Sequence, residues 1–281
     1  MTIALVEIAI TILLIFLAKW LQDVLTTFDD DHELFTNDNP SLGIAKAGYY
    51  VAIIIATKAL WEGQGSGDWW EVRDFVVYGA LNIILLNAAT YSSGQLILRK
   101  FNIYHQICEH RNHSISWVLA GCYIGSAFIL NGAMAGDDGQ LYQSLLEVVC
   151  YFISGQLILA MGALVFFKVH QKQSHAIESS NEAAGLAMAG YLIGLGLIVG
   201  GLSKNHHALS VTDFAFNMAT SAASIILLMS VRLFLFPYIF ANGHALQKEV
   251  FEDKNNAAGW ILGLTTIAFA QLALTVVFNL E

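Results

Sequence analysis

The stretch AAGLAMAGYLIGLGLIVGGL, from Ala183 to Leu202, carries no charged residue, and its one side-chain polar group is the Tyr191 hydroxyl. A helix needs roughly 20 predominantly apolar residues to cross the ~30 Å hydrocarbon core of a bilayer. This stretch meets that length, and it does not stand alone. Comparable apolar runs occur at 2–22, 41–61, 72–98, 114–134, 141–168, 210–236 and 257–278. The reading is an all-α membrane protein with about eight transmembrane helices.

Composition agrees. Of the 281 residues, 56% are hydrophobic and 12% charged, about half the charged share of a soluble domain. A net charge of -9 argues against nucleic-acid binding, which needs a basic surface. The first run lacks a small-residue cleavage site and keeps Glu7 and Lys19 within or beside its span, so it reads as a retained helix. Cys108, Cys122 and Cys150 are an odd number, two of them inside apolar runs. They read as packing residues rather than a disulfide framework.

Loop charge sets the expected orientation. The connections after the first, third, fifth and seventh runs share one side and carry Lys19, Arg99, Lys100, Arg111, Lys168, Lys172, Lys248 and Lys254. The other side has Arg73 and Lys204. The positive-inside bias places the first side in the cytoplasm and both termini on the outer, periplasmic side.

Self-similarity organises the chain. Asn39, Gly43, Ala45, Ala47, Gly48 and Tyr49 match Asn181, Gly185, Ala187, Ala189, Gly190 and Tyr191 at one constant offset. Likewise Glu109, Arg111, Asn112 and Trp117 match Glu252, Lys254, Asn255 and Trp260, Asp74-Phe75 matches Asp213-Phe214, and Glu7 matches Glu147. The chain therefore divides into two four-helix repeats, 1–136 and 137–281. An even helix count sends both copies through the membrane in the same sense, which predicts parallel repeats related by a pseudo-two-fold along the membrane normal.

A finer repeat lies beneath. The second, fourth, sixth and eighth helices begin at Asn39, Asn112, Asn181 and Asn255. Asparagine is a strong N-cap, because its side-chain oxygen accepts from backbone N–H groups that a helix start leaves free. Pro40 suits the first helical position. Gly48, Gly121, Gly125, Gly190, Gly194, Gly259 and Gly263 then supply small residues for close helix contact in lipid. These even-numbered helices are expected to be the inner, tightly packed ones.

The pattern Glu-x-x-Asn followed by small residues and a mid-helix glycine runs from Glu109 to Gly121 and from Glu178 to Gly190, with a reprise at Glu252 to Gly263. In this it resembles the YjfL-like bacterial inner-membrane proteins, a family defined by a domain of unknown function (350) with four membrane helices. The resemblance spans nearly the whole chain as two such domains fused. It implies a bacterial inner-membrane location, self-association and companionship with envelope-stress proteins. It implies no reaction. The first copy departs from the pattern, with Thr36-Asn-Asp-Asn39 in place of Glu-x-x-Asn.

Charges inside spans are costly and default to functional suspects. Glu7 and Glu147, repeated in both copies, form the candidate cation or proton site. Their shallow depth also fits simple hydration. Lys46, Lys58 and Arg232 read as snorkelling side chains. The hexapeptide SGQLIL recurs at 93–98 and 154–159, so Gln95 and Gln156 are expected to share a polar seam with Asn82, Asn87 and Asn217. Interhelical hydrogen bonding is the plainer reading. The stretch from His105 to His113 offers His and Cys, but at no standard zinc spacing. The run Asp29 to Glu33 reads as a solvated loop. No metal and no cofactor are expected.

Enzyme motifs such as H-E-x-x-H or a P-loop are absent from the sequence. Two functions from different classes remain. One is a non-enzymatic scaffold that engages cytosolic proteins through the loops after helices three, five and seven. The other is a channel or transporter for cations or small solutes along the polar seam.

Overall fold

A computed structural model of the protein describes residues 2–26, 29–62, 69–99, 101–135, 141–169, 173–204, 210–242 and 245–278. In chain order the helices are α1 (Thr2–Leu25), α2 (Asp30–Phe35), α3 (Pro40–Glu62), α4 (Trp69–Leu96), α5 (His113–Met134), α6 (Leu141–Val169), α7 (Gln173–Glu178), α8 (Glu182–Ser203), α9 (Val211–Ser230), α10 (Phe236–Ala241), α11 (Leu246–Phe251) and α12 (Asn256–Phe278). A π-helical turn, His105–Glu109, precedes α5, and a second, Val231–Leu235, joins α9 to α10. Among the described residues, eight helices are long and apolar enough to cross a membrane: α1, α3, α4, α5, α6, α8, α12 and the α9–α10 unit. The lysines at 100 and 172, counted above for orientation, lie outside the described residues.

The spanning helices form two layers. In the inner row α3 packs on α5, α5 on α8 and α8 on α12. In the second layer α4 contacts α1 and α6, α6 contacts α9, and each of these rests on the inner row. Burial follows position: 94% of the most apolar 18-residue stretch of α8 is buried against 17% of that of α1. The sequence pattern explains the contrast. With Gly or Ala recurring on both sides, α8 accepts a backbone-close neighbour on each, whereas α1 presents Leu13, Phe16 and Trp20 outward.

One contact recurs along the row. The glycine nine residues after a capping asparagine faces the residue eight after the next one: Gly48 against Ala120, Gly121 against Ala189, and Gly190 against Gly263. A Cβ on Gly121 would lie 2.6 Å from Ala189 Cα, well inside the 3.5–4.0 Å optimum for carbon contacts. Equivalent Cβ atoms on Gly125, Gly259 and Gly263 would meet backbone at 2.7–2.8 Å. Gly194 is roomier, with its nearest neighbour at 3.3 Å.

This pattern corrects the expected two-fold relation between copies. A two-fold pairing α3 with α8 and α5 with α12 would require α12 to pack on α3 as α5 packs on α8. No such packing occurs among the described residues. The inner helices instead repeat one head-to-tail step, because each carries a different face toward its predecessor and its successor.

Candidate functional site

The side of the slab where α2, α7, α11 and the first π-helical turn lie gathers most of the polar chemistry. Each of these four short segments leads, through a turn, to a residue with positive φ directly before a capping asparagine: Asp38 (47°), Arg111 (49°), Ser180 (59°) and Lys254 (55°). Each asparagine N–H closes the turn onto the segment behind it, for example Asn39 to Glu33 O at 3.1 Å and Asn255 to Glu249 O at 2.8 Å. This is a Schellman-like C-terminal closure, in which the left-handed residue lets the chain reverse. The asparagine thus ends one helix and caps the next.

The caps themselves are present. Asn112 Oδ1 accepts from Ile115 N at 3.3 Å and Asn181 Oδ1 from Ala184 N at 3.2 Å. The side-chain amides do something the sequence left unread. Asn39 Nδ2 donates to Ile107 O at 3.0 Å, Asn112 Nδ2 to Ile177 O at 3.0 Å, and Asn181 Nδ2 to Val250 O at 2.9 Å. Each asparagine therefore binds the short segment of the following helix. Asn255, last in the row, is exposed and donates to Glu249 Oε2 at 3.0 Å.

The acidic run read as a solvated loop is the cap and first turns of α2, and it delivers Asp30 into the protein at 7% exposure. There Asp30 pairs with Lys46, which also meets Asp23 at 3.1 Å and Gln22 at 3.1 Å. Lys46 is 4% exposed, so it does not snorkel. Its charge is neutralised by residues that approach from another helix and from the turn, which no local pattern announces. Burial pushes the Asp30 carboxyl above the ordinary aspartate range, with Lys46 opposing the shift. Burial also pushes the Cys108 thiol up to about 11, helped by Glu33, Asp30 and Glu109. All three thiols are free.

Arg232 is a second correction. It is fully buried rather than snorkelling. Its Nη1 donates to Ala187 O at 2.8 Å and Thr266 Oγ1 at 3.2 Å, and the guanidinium lies over Phe166 and Tyr191, 5.2 and 5.5 Å from the ring centroids. Nε, Nη2 and the Tyr191 hydroxyl are buried with no hydrogen-bond partner. Pro237 accounts for the placement. Lacking an N–H and crowding the carbonyl four residues back, it is accommodated by the wide turn Val231–Leu235. That turn carries Arg232 inward.

Glu7 is buried and Glu147 half-buried; α1 packs on α4 and α3 while α6 packs on α4, α5, α8 and α9. The two glutamates thus lie on helices that both pack on α4. The seam residues are spread over three helices. Gln95 is exposed one residue from the end of α4, whereas Gln156, mid-α6, accepts from Ser126 at 3.1 Å. Asn87 accepts from Tyr49 at 3.2 Å, and Asn217 donates to Leu202 O at 2.9 Å. Asn82 is buried with neither amide atom partnered. Asn82, Asn87 and Gln95 lie on α4, Gln156 on α6 and Asn217 on α9, with α6 in contact with both of the others.

His105 stacks edge-on against His110 and bonds to it at 2.9 Å, with Glu109 at the other ring nitrogen. Among the described residues no cluster of three His, Cys, Asp or Glu side chains is placed to hold a metal ion.

Fold and repeat together define a class: a two-layer, all-α bundle of membrane-spanning length made from tandem four-helix units. The chain belongs to the family described as Domain of Unknown Function (DUF350), which matches it twice, over residues 1–134 and 140–277. No curated protein and no solved structure matches it.

Proposed function

We propose that this chain is a non-enzymatic membrane scaffold whose short-helix side recruits cytosolic proteins. The observation that carries the reading is the layer of four short segments, three of which are locked to the start of a neighbouring spanning helix by an asparagine amide. The layer holds exposed Tyr104, His105, Glu109 and Arg111 in fixed places. A preordered surface binds with less entropic cost than a flexible one. Basic residues on this side, Arg99, Arg111, Lys168, Lys248 and Lys254, support placing it in the cytoplasm. The resemblance to YjfL-like proteins supports a bacterial inner membrane and partners of the envelope-stress class.

A second reading has its own observation. Arg232 brings two unpartnered nitrogens and a positive charge beside the free Tyr191 hydroxyl in an apolar interior. Such a site favours an anionic or carboxylate-bearing solute over the cation first expected.

Photo-crosslinking in native membranes separates the readings, with the probe placed at Tyr104 and, as a lipid-facing control, at Phe16. The scaffold predicts discrete soluble-protein adducts at Tyr104 alone. Absence of adducts, together with anion flux into proteoliposomes that Arg232→Met abolishes, would overturn it in favour of the second reading.

A further inference from the structure

We propose that the inner row continues into a second copy of this chain, α12 of one copy packing head-to-tail on α3 of the next. The inference goes beyond cytosolic recruitment and holds whichever protein meets the short-helix side.

The argument begins with the step already made three times within the chain. On its forward face a helix uses positions two, nine, thirteen, sixteen and twenty after its asparagine; in α5 these are Ser114, Gly121, Gly125, Phe128 and Gly132. In α12 the same positions are Ala257, Leu264, Ala268, Gln271 and Thr275, and every one is exposed. On its rear face a helix uses positions four, eight, eleven, fifteen and nineteen; in α8 these are Gly185, Ala189, Leu192, Gly196 and Gly200. In α3 they are Gly43, Ala47, Tyr50, Ile54 and Lys58. Ala47, Ile54 and Lys58 are exposed, Gly43 and Tyr50 half-buried. A Cβ on Gly43 would meet nothing nearer than Leu34 at 3.9 Å. The two open ends of the row are thus the two halves of one interface. A heterologous interface of this kind adds further copies until geometry closes it.

Two polar and aromatic features outside those faces point the same way. Asn39, Asn112 and Asn181 each donate a side-chain N–H to a backbone carbonyl of the next short segment, whereas Asn255 has no such acceptor among the described residues. By register its partner would be the carbonyl of Leu34 in the second copy, as Ile107 and Val250 serve within the chain. The next residue, Phe35, is 79% exposed. Its counterparts Cys108, Ile177 and Phe251 are half-buried or buried. Phe35 is therefore the cover that α12 lacks.

One difference sets the strength of the joint. Leu264 stands where the three internal steps have glycine, so the backbones stay further apart and the contact between copies is looser than those within one copy.

Disulfide trapping in native membranes tests this, in a background with Cys108 and Cys150 changed to serine. The double variant Ala47→Cys plus Leu264→Cys is expected to oxidise into a ladder of chain multiples or one closed ring, and each single variant into none. Symmetric dimers from either single variant, or no adduct from the double, would overturn the proposal. Leu264→Gly is expected to tighten association in mild detergent by roughly tenfold, about 1.4 kcal/mol, and Ala47→Trp to abolish it. Both sites are exposed in one copy, so neither change removes a buried contact within it. Unchanged self-association in both would also overturn the proposal, while the Tyr104 crosslinking result would be unaffected.

Discussion

Replacing Gly121 by alanine is the most direct probe of the inner row. The added Cβ would stand 2.6 Å from Ala189 Cα, about 1.2 Å inside ordinary carbon contact. The obstacle is backbone, which no rotamer change can clear, so α5 and α8 must separate. Separation also loosens the neighbouring contacts that Gly125 makes with Leu192 O and Gly196 with Gly125. Overpacking of this kind costs about 1–3 kcal/mol, and alanine returns about 0.8–1 kcal/mol of helix propensity. The expected net loss is about 0–2 kcal/mol. Gly43→Ala provides the opposite sign, since its Cβ enters open space; it should be neutral or stabilising by up to about 1 kcal/mol. Equilibrium unfolding of dilute protein in mixed micelles of rising SDS fraction, followed by tryptophan fluorescence, measures both. If Gly121→Ala proves as harmless as Gly43→Ala, the close-packed row is wrong.

The asparagines make a graded series. Asn181→Ala removes a cap and a buried interhelical bond to Val250 O, for about 2 kcal/mol together. Asn255→Ala removes an exposed cap with no interhelical bond, for about 1 kcal/mol or less, and equal losses in the same unfolding assay would count against the amide linkage. Asp30 gives a pH signature. Its folded pKa is raised by burial, so below that value and above the ordinary aspartate pKa of about 4 the folded state holds more protons than the unfolded one. Parent stability measured against Asp30→Asn should therefore rise as pH falls from neutral toward about 4 and be lost again as pH rises; a difference that stays flat over this range would refute the buried placement of the carboxyl.

What could be read from residues alone was whatever depends on near neighbours in the chain. Span length, the N-caps at Asn39, Asn112 and Asn181, and the tight glycines all belong to that class. The short helices before the caps were missed, although the asparagine spacing held a clue. Their closing residues Asp38, Arg111, Ser180 and Lys254 are not glycines, so the left-handed turns left no usual mark. The matching hexapeptides around Gln95 and Gln156 misled for a related reason. Identical letters do not share a depth when one copy lies at a helix end and the other at mid-helix.

By itself, then, the sequence determined that the chain spans a membrane and repeats, because apolar length and capping are local properties. Tertiary structure decided that the repeat is an open row rather than a closed pair, that Lys46 meets Asp23 and Asp30, and that Arg232 is sealed against Tyr191. Each of those depends on which helix lies beside which. A long side chain's surroundings come from residues tens of positions away, and no periodicity within one helix encodes them.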